Sequence, residues 1–519
     1  MQKEIVMELS PEEASRQAYF KQFIAKKIKI SEAHIREVRI TRKSIDARRK
    51  KIRINIAFQV FIDEEPPQKI SWQPSYRNVE HAREVLISGA GPAGLFAALR
   101  LIELGMRPVI IERGKPVEER IADINIFEEK LQLNPESNYC YGEGGAGTFS
   151  DGKIYTRAKK RGDHQKILEI LNYHGAEDNI LYEAHPHIGS DRLPGIIAGI
   201  RTTILDAGGV FLFNTKVKDF IMTDGKIAGI RTQANKRIYC SALLLATGHS
   251  ARDIYYLMLD RGFKLEPKPF AMGVRVEHPQ HLINQIQYHG CQSAFLPAAA
   301  YNVVQQVGGR GVYSFCMCPG GKIVPASTSE KEIVLNGMSN ARRNSPFANS
   351  GMVVQILPSD YHEYNKFEGL AALKLQEEFE CKTFNAVRIP YLAPAQRIID
   401  FVGNKTSSSL PENSYIPGVV SSDMHRWMPG FIVKSLQEAF LEIDKRMHGF
   451  ISSDGIMLGV ESRTSSPVRI PRDPVTGEHV QIRGLFPCGE GSGYSGGIIS
   501  SAVDGQLAAE KCVKYLLNH

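Results

Sequence analysis

Cysteine is scarce in this 519-residue chain, and its placement excludes as much as its number does. The eight thiols, at positions 140, 240, 291, 316, 318, 381, 488 and 512, show no paired spacing of the kind that staples a small secreted scaffold. Reduced thiols in a cytoplasmic setting are the expectation. Long apolar runs are missing as well. The nearest approach, Val85 to Leu104, is broken by glycines, Pro92 and Arg100, so it reads as a buried strand and helix and no membrane contact is expected. The stretch Met1-Gln2-Lys3-Glu4-Ile5-Val6-Met7-Glu8 carries charges of both signs and no apolar core of signal-peptide length. Low-complexity tracts and internal repeats are also absent. What is there is ordinary globular composition, 43% hydrophobic and 23% charged, in a chain long enough for two or three domains.

The first eighty residues read as a separate module. Ser10-Pro11-Glu12-Glu13 opens a helix, with Ser10 as N-cap, Pro11 in the first turn and Glu13 placed for a capping box. Ile52, Ile54, Ile56, Phe58, Val60 and Ile62 alternate with mostly polar residues, the pattern of a half-buried strand, and Val38 to Ile45 is its expected partner. Together they predict a small α+β, ferredoxin-like module over 1–67, set off by Pro66-Pro67 and followed by a linker over 68–82. Seventeen Lys/Arg against eleven Asp/Glu in residues 1–80 place +6 of the chain's +8 here. Arg36, Arg39, Arg42, Lys43, Arg48, Arg49, Lys50, Lys51 and Arg53 cluster around the presumed hairpin. An RNA- or acidic-partner-binding face is one reading and a solvated strand face the other. With little aromatic interleaving to stack bases, nucleic acid is the less expected partner.

A complete nucleotide-binding unit follows. Val85-Leu86-Ile87-Ser88-Gly89-Ala90-Gly91-Pro92-Ala93-Gly94 is a buried strand, a glycine turn and the start of a helix that runs to about Leu104 and is closed by Gly105. A second strand, Pro108-Val109-Ile110-Ile111, ends in Glu112-Arg113. Gly89 permits the tight turn, Gly91 lets backbone approach a pyrophosphate, and Gly94 lets the helix pack closely on the strand. The helix beginning Pro92-Ala93 offers free N–H groups to the phosphates. Glu112, 23 residues after Gly89, is placed to accept hydrogen bonds from a ribose diol.

Two further segments narrow the dinucleotide. Ile238 to Leu245 is an apolar strand closing in Ala246-Thr247-Gly248, and Gly484 to Ile499 reads as a short strand, an acid-bearing turn and a helix starting near Ser495. In this order along the chain, the segments resemble those of the glutathione-reductase and hydroxybenzoate-hydroxylase superfamily of flavoproteins. That resemblance implies FAD, whereas a plain NAD-dependent Rossmann enzyme would need only the first segment. It implies that Glu490, after Gly489, meets the ribityl chain, and that Gly496, Gly497 and Ile498 begin a helix pointing at the flavin pyrimidine edge. A dipole so placed stabilises negative charge on the reduced flavin. Gly208 to Val217 resembles the strand whose backbone, here Val217, contacts adenine. No second GxGxxG occurs in the excursion between Gly248 and Gly455, so NAD(P)H is expected to bind only transiently, without a fold of its own.

The motifs Gly142-Glu143-Gly144-Gly145-Ala146-Gly147-Thr148-Phe149-Ser150-Asp151-Gly152-Lys153, His185-Pro186-His187, Gly248-His249-Ser250-Ala251-Arg252-Asp253, Phe315-Cys316-Met317-Cys318-Pro319-Gly320-Gly321 and Glu461-Ser462-Arg463 through Arg469 occur together in one family. On them the chain resembles, over essentially its whole length, the bacterial family of uncharacterised FAD-dependent dehydrogenases. The expected fold class is α/β and α+β: a Rossmann-like FAD-binding domain from 83–160, 208–248 and 455–519, a helical inserted segment over 161–207, an inserted mixed α+β substrate domain over 249–454, and the N-terminal module. The family takes its name from its cofactor. The implied activity is that of an FAD-dependent oxidoreductase, a dehydrogenase or reductase moving a hydride through flavin N5 to or from a small, anionic molecule, with its electron donor or acceptor unspecified. A flavin monooxygenase shares the architecture; an RNA-associated flavoprotein and a thiol redox sensor are readings from other classes.

Several residues are candidates for the chemistry. Gly144 and Gly145 would let backbone approach the pyrophosphate or the isoalloxazine. Lys153 is a candidate donor to the flavin or to an anionic substrate, with a surface lysine as the alternative. Arg463 and Arg469, in a Ser/Thr-rich loop, would either clamp a carboxylate bidentately or form structural ion pairs. His185 and His187 share a face if that segment is extended and are candidate proton carriers; a metal would need further ligands that the sequence does not place nearby, and none is expected. Cys316 and Cys318, as i and i+2 on an extended strand, would also share a face. A disulfide between them would close a strained, readily reducible ring, giving a redox relay to flavin. The alternative is two small buried residues beside the Pro-Gly-Gly turn. His249 and Arg252 either serve the site or pin the crossover between domains.

Overall fold

The computed structural model describes residues 1–68, 72–155 and 162–519. At its centre lies a five-stranded parallel sheet in the order Leu485–Pro487, Leu243–Leu245, Glu84–Ser88, Arg107–Ile111, Val210–Leu212. Its strands are apolar at consecutive positions because both faces are covered. Val85 and Ile87 point into one core with the helix Pro92–Glu103 and the C-terminal helix Ile498–Asn518. Leu86 points into the opposite core, which holds the antiparallel meander Val217–Thr223, Lys226–Thr232, Arg237–Tyr239 and the helix Arg252–Asp260.

The helices His164–Tyr173 and Leu193–Asp206 bury Ile167, Ile170, Leu171, Ile196 and Ile200 in the first of these cores. Residues 162–207, the described part of the segment expected over 161–207, are thus a structural layer of this domain and not a separate insertion. The presumed linker behaves similarly: residues 69–71 lie outside the described residues, but Trp72 and Tyr76 pack against the same core. The boundary expected at 160/161 also lies outside the described residues.

The second domain is a seven-stranded sheet in the order Val304–Val307, Arg310–Cys318, Phe347–Gln355, Ala271–Pro279, Ile456–Glu461, Ala393–Arg397, Val419–Ser421. All neighbours are antiparallel except the last pair. Helices Gln280–Gln287, Ala371–Val387 and Gly430–Asp444 supply its apolar layer. Ile456–Glu461 pairs with Ala271–Pro279, so the chain returns to the first domain after Glu461 and not at 455. An all-apolar stretch before a glycine-rich terminus looks alike in either domain; only the pairing assigns it.

The N-terminal module departs from a ferredoxin-like fold. It has three antiparallel strands in the order Gln2–Leu9, Arg53–Ile62, Ile35–Asp46, with the helices Pro11–Ser15 and Phe20–Ile28 on one face, and no fourth strand among the described residues. The first strand buries only Ile5 and Leu9 and exposes Lys3, Glu4, Val6 and Glu8, which hides it from a hydrophobicity reading. Ile54, Ile56, Phe58, Val60 and Ile62 line the buried face. The module is tied down at Lys43, whose N–H donates to the Tyr182 carbonyl and whose carbonyl accepts from Ala184 N–H, each at 2.9 Å. From its basic cluster, Arg39, Lys43 and Arg48 are engaged by Glu37, Glu183 and Asp46.

The Ser10 capping box forms as its sequence requires: Glu13 N–H donates to Ser10 Oγ at 3.2 Å and Ser10 N–H to Glu13 Oε2 at 2.8 Å. Ser10→Ala is expected to cost the module about 1 kcal/mol, read as a shift in the denaturant midpoint without a change in flavin content.

Candidate functional site

Four loops leave the carboxyl ends of the parallel strands side by side. They begin at Gly89, Glu112, Ala246 and Cys488, the place where open α/β sheets receive ligands. Gly89 has φ +106, and a Cβ there would run into the Ala246 carbonyl. A Cβ on Gly94 would overlap the Gly89 carbonyl, so the helix can sit this close to the turn only with glycine. Gly91 differs: its φ of −76° suits any residue, and the nearest atom to a Cβ there is Gly145 Cα at 3.8 Å. The space beside Gly91 is open.

The loop Gly142–Gly147 closes over this turn. Gly144 N–H donates to the Ala90 carbonyl at 2.8 Å, and a Cβ on Gly145 would come within 3.1 Å of Gly91 Cα. Its framework is Arg120, which the sequence reading did not single out. This fully buried guanidinium donates to the carbonyls of Asn138, Tyr139 and Glu143 at 2.8, 3.1 and 2.7 Å and to Thr148 Oγ1 at 3.2 Å. Burial lowers its pKa to about 10, which leaves it charged. Glu143 faces the other way, accepting from Val117 N–H at 2.8 Å and from Arg201 at 2.7 Å; burial pushes its carboxyl up to about 7.

Glu112 is buried, and its Oε1 accepts from Gly114 and Gly142 N–H at 2.9 and 3.1 Å. Oε2 accepts one backbone donor, Ala90 N–H at 2.9 Å, and keeps a lone pair for a ribose hydroxyl. Val217 begins its strand next to Asn214 and Thr215, whose N–H groups bond the carbonyls of Gly114 and Glu112. Arg113 is turned aside: it pairs with Glu136 and Asp253 and lies over the Tyr141 ring at 4.3 Å. With Lys216, Asp253, Arg252 and Glu332 it lines a cavity of about 440 Å³ between the domains.

At the far side, Gly489 packs against Ala93, and Gly491 against the backbone of Gly248. The last helix begins at Ile498, three residues later than expected, because Gly497 holds φ +94 as its N-cap. No side chain caps that end, and nothing lies within 4 Å of a Cβ on Gly496 or Gly497. Ile498 itself meets the loop, with Cγ1 3.1 Å from a Cβ on Gly147.

Glu490 lies beside this helix end. Burial raises its carboxyl to about 7, against the Gly497 N–H and the Lys268 ammonium, which both favour the charged form. His249 Nε2 is 3.9 Å away, and burial together with Arg463 and Arg252 lowers its pKa to about 3, so it stays neutral. Arg469 stacks over Tyr494 at 5.4 Å. Two buried polar atoms here have no hydrogen-bond partner among the described residues: His249 Nδ1 and Arg469 Nε. They adjoin the glycine loops at Gly248 and Gly493. Unsatisfied polar atoms at the rim of a glycine cradle are what a polar dinucleotide would satisfy.

Lys153, Cys316 and Cys318 are brought together. Lys153 Nζ lies 3.9 and 3.8 Å from the two sulfurs and 3.4 Å from Asp151, which also pairs with Arg343. The thiols meet for a different reason than an extended strand. Cys316 has φ +45 within a bulge between Phe315 and Cys318, which turns both sulfurs to one side. Arg463 is fully committed inside the protein: it bonds Glu332 at 2.8 Å and Glu380 at 3.2 Å, and Arg252 shares Glu380 at 2.7 Å. This buried cluster pins the crossover between the domains. His185 is exposed against Tyr155, and His187 bonds the Ala341 carbonyl at 3.1 Å. No group of three or more His, Cys, Asp or Glu among the described residues could hold a metal, and no described helix is long and apolar enough to cross a membrane.

Glycine loops at the carboxyl edge of a parallel sheet, a free helix end and an attached antiparallel domain define a mixed α/β fold of the FAD-binding kind. A family model described as FAD-dependent protein, C-terminal domain-like, matches residues 269–464, and one for a domain of unknown function matches residues 1–61. A Clostridium beijerinckii protein described as uncharacterized is 39% identical over 515 residues, 95% of each chain. The chain belongs to the same bacterial family of FAD-dependent proteins as this relative. Thiamine thiazole synthase of Aeropyrum pernix is 29% identical over 153 residues, 29% of this chain and 44% of its own. A geranylgeranyl bacteriochlorophyll reductase-like structure from Thermoplasma acidophilum covers 84% of this chain and 80% of its own at 12% identity and a TM-score of 0.36. A score of this size leaves reaction and substrate open.

Proposed function

We propose that this chain is an FAD-dependent oxidoreductase, a dehydrogenase or reductase acting on a small, anionic molecule. The observation that carries the proposal is the meeting of three glycine loops, 89–94, 142–147 and 489–497, around the uncapped start of the helix at Ile498. FAD, when bound, supplies a site that gives or accepts a hydride at N5. Gly91, Gly144, Gly145 and the helix start at Pro92-Ala93 would hold the pyrophosphate, Glu112 and the Val217 backbone the adenosine, and Glu490 the ribityl hydroxyls. Gly496, Gly497 and Ile498 would turn the positive helix end toward the flavin.

The chain's own residues add a charged rim. Lys268 acts on Glu490 and is itself next to Arg469, and the two cations would orient an anion. The half-protonated Glu490 is the group able to move a proton near pH 7, and His249, held neutral, can offer a hydrogen bond beside it. With no second GxGxxG between Gly248 and Gly455, any pyridine nucleotide would visit the open face of the site.

An anaerobic reduction titration tests this reading, with NADH, NADPH and a panel of carboxylates and hydroxy acids against a dithionite control. Bleaching of a bound flavin by one of these at catalytic rate is the expected result. Hydroxylation coupled to oxygen uptake would replace it with a monooxygenase. A protein that cannot be loaded with FAD would end it.

A further inference from the structure

Cys316 and Cys318 stand out because four independent features converge on them. The bulge that carries Cys316 at φ +45 is a conformation L-residues rarely adopt, and here it serves to aim two sulfurs at each other. Lys153 places its ammonium almost equidistant from both, and Arg275 Nη2 lies 3.5 Å from Cys318 Sγ while holding the Cys316 carbonyl at 2.7 Å. Arg275 is itself fixed, fully buried, by Glu461 at 2.9 Å and Asn349 at 2.7 Å. The two sulfurs also differ in access: Cys318 is fully buried and Cys316 only partly.

We propose that Cys316 and Cys318 are a redox-active dithiol that cycles with a disulfide and exchanges electron pairs with the flavin. The proposal rests on the FAD reading for the electron partner, but not for the disulfide. Two ordinary buried cysteines would need neither a lysine nor an arginine against their sulfurs. A cation over both is the arrangement that activates a thiolate for exchange. The Cys318 thiol donates to the Cys316 carbonyl at 3.2 Å. With Lys153 and Arg275 favouring its anion and Cys318 beside it, Cys316 is pushed well below the usual thiol range, and burial pushes Cys318 well above it. The more accessible member is thus the attacking thiolate and the buried one its resolving partner.

The pair also adjoins the flavin loops. Lys153 lies six residues past Gly147, which meets Ile498. Cys316 is within electrostatic range of the Glu490 carboxyl, whose charge it disfavours. Starting from one thiolate and one thiol, the pair loses two electrons and one proton as the S–S bond forms. A bound flavin would supply the acceptor for both electrons and the proton. In reverse, two electrons and a proton from a reduced flavin would break the S–S bond, and a disulfide-containing substrate would then be attacked by Cys316 and resolved by Cys318.

The test begins with the full-length protein, as purified, equilibrated in glutathione and dithiothreitol buffers, denatured and labelled with a maleimide. Eight labels are expected under reduction, one for each cysteine, and six after mild oxidation, with peptide mapping placing the new bond between Cys316 and Cys318. Cys318→Ala should abolish the two-label loss. Native alkylation of Cys316 should persist into mildly acidic solution; in Lys153→Met it should slow about tenfold or more in that acidic range, one unit of thiol pKa or more, and Lys153→Arg should restore it. In the FAD-loaded protein, dithionite should deliver two electron pairs to oxidised wild type and one to Cys318→Ala. Eight labels at every potential that leaves the protein folded, or a bond mapped elsewhere, would overturn the dithiol. Six labels in a protein that cannot hold FAD would instead keep the dithiol and overturn the flavin reading and the exchange of electrons with it.

Discussion

Gly91→Ala should leave the apo fold nearly untouched and weaken FAD binding about 100-fold. The backbone there, φ −76 and ψ −175, is open to alanine, and no protein atom lies closer than 3.8 Å to the added methyl. The poorer N-cap costs the helix about 0.5 kcal/mol. If a pyrophosphate packs on Gly91, the methyl stands in its place, and forcing it aside costs about 3 kcal/mol, or about 100-fold in Kd. Flavin fluorescence titration of the apo protein reads the affinity, and a denaturant melt reads the fold. Gly94→Ala supplies the contrast, because its methyl would overlap the Gly89 carbonyl and so should lower stability as well as flavin content. An unchanged Kd for Gly91→Ala would show that the glycine turn holds no phosphate.

Glu380→Gln should destabilise the protein by about 3 kcal/mol at neutral pH, because it leaves two buried guanidinium groups with too little negative charge. Glu380 is fully buried and accepts from Arg252 and Ser462 at 2.7 and 2.6 Å and from Arg463 at 3.2 Å. Burial opposes its charge, but the two arginines prevail and hold its carboxyl down at about 2. The folded pKa lies below the unfolded value of 4.5, so the stabilisation is fully present above 4.5 and is lost as pH falls toward 2. The difference between wild type and Glu380→Gln should therefore shrink steadily below pH 4.5, as read from urea midpoints at matched ionic strength. A constant difference across that range would mean that Glu380 acts by shape and not by charge.

The glycine turn and its acid were legible because each has a local cause. A turn at φ +106 demands glycine at 89, and the fully covered strands demand unbroken apolar runs at 85–87 and 243–245. The start of the last helix was legible only to within three residues, since the glycines before it permit several turns and the packing of Ile498 on Gly147 chooses among them. Arg120 was missed because nothing local marks it: its acceptors lie 18 to 28 residues away on a loop that only the fold curls around it. For Arg463 the sequence left a carboxylate clamp and a structural ion pair equally open, and its long-range partners Glu332 and Glu380 decide for the ion pair.

By itself, then, the sequence determined the nucleotide unit, the N-terminal capping box and the order of segments, because short-range sterics and hydrogen bonding dictate them. The tertiary structure alone decided which strands belong to the second sheet, which arginines remain unpaired, and that Lys153 sits against Cys316 and Cys318 from 163 and 165 residues away. Charges meeting across such distances depend on how two sheets pack, and no local periodicity records it.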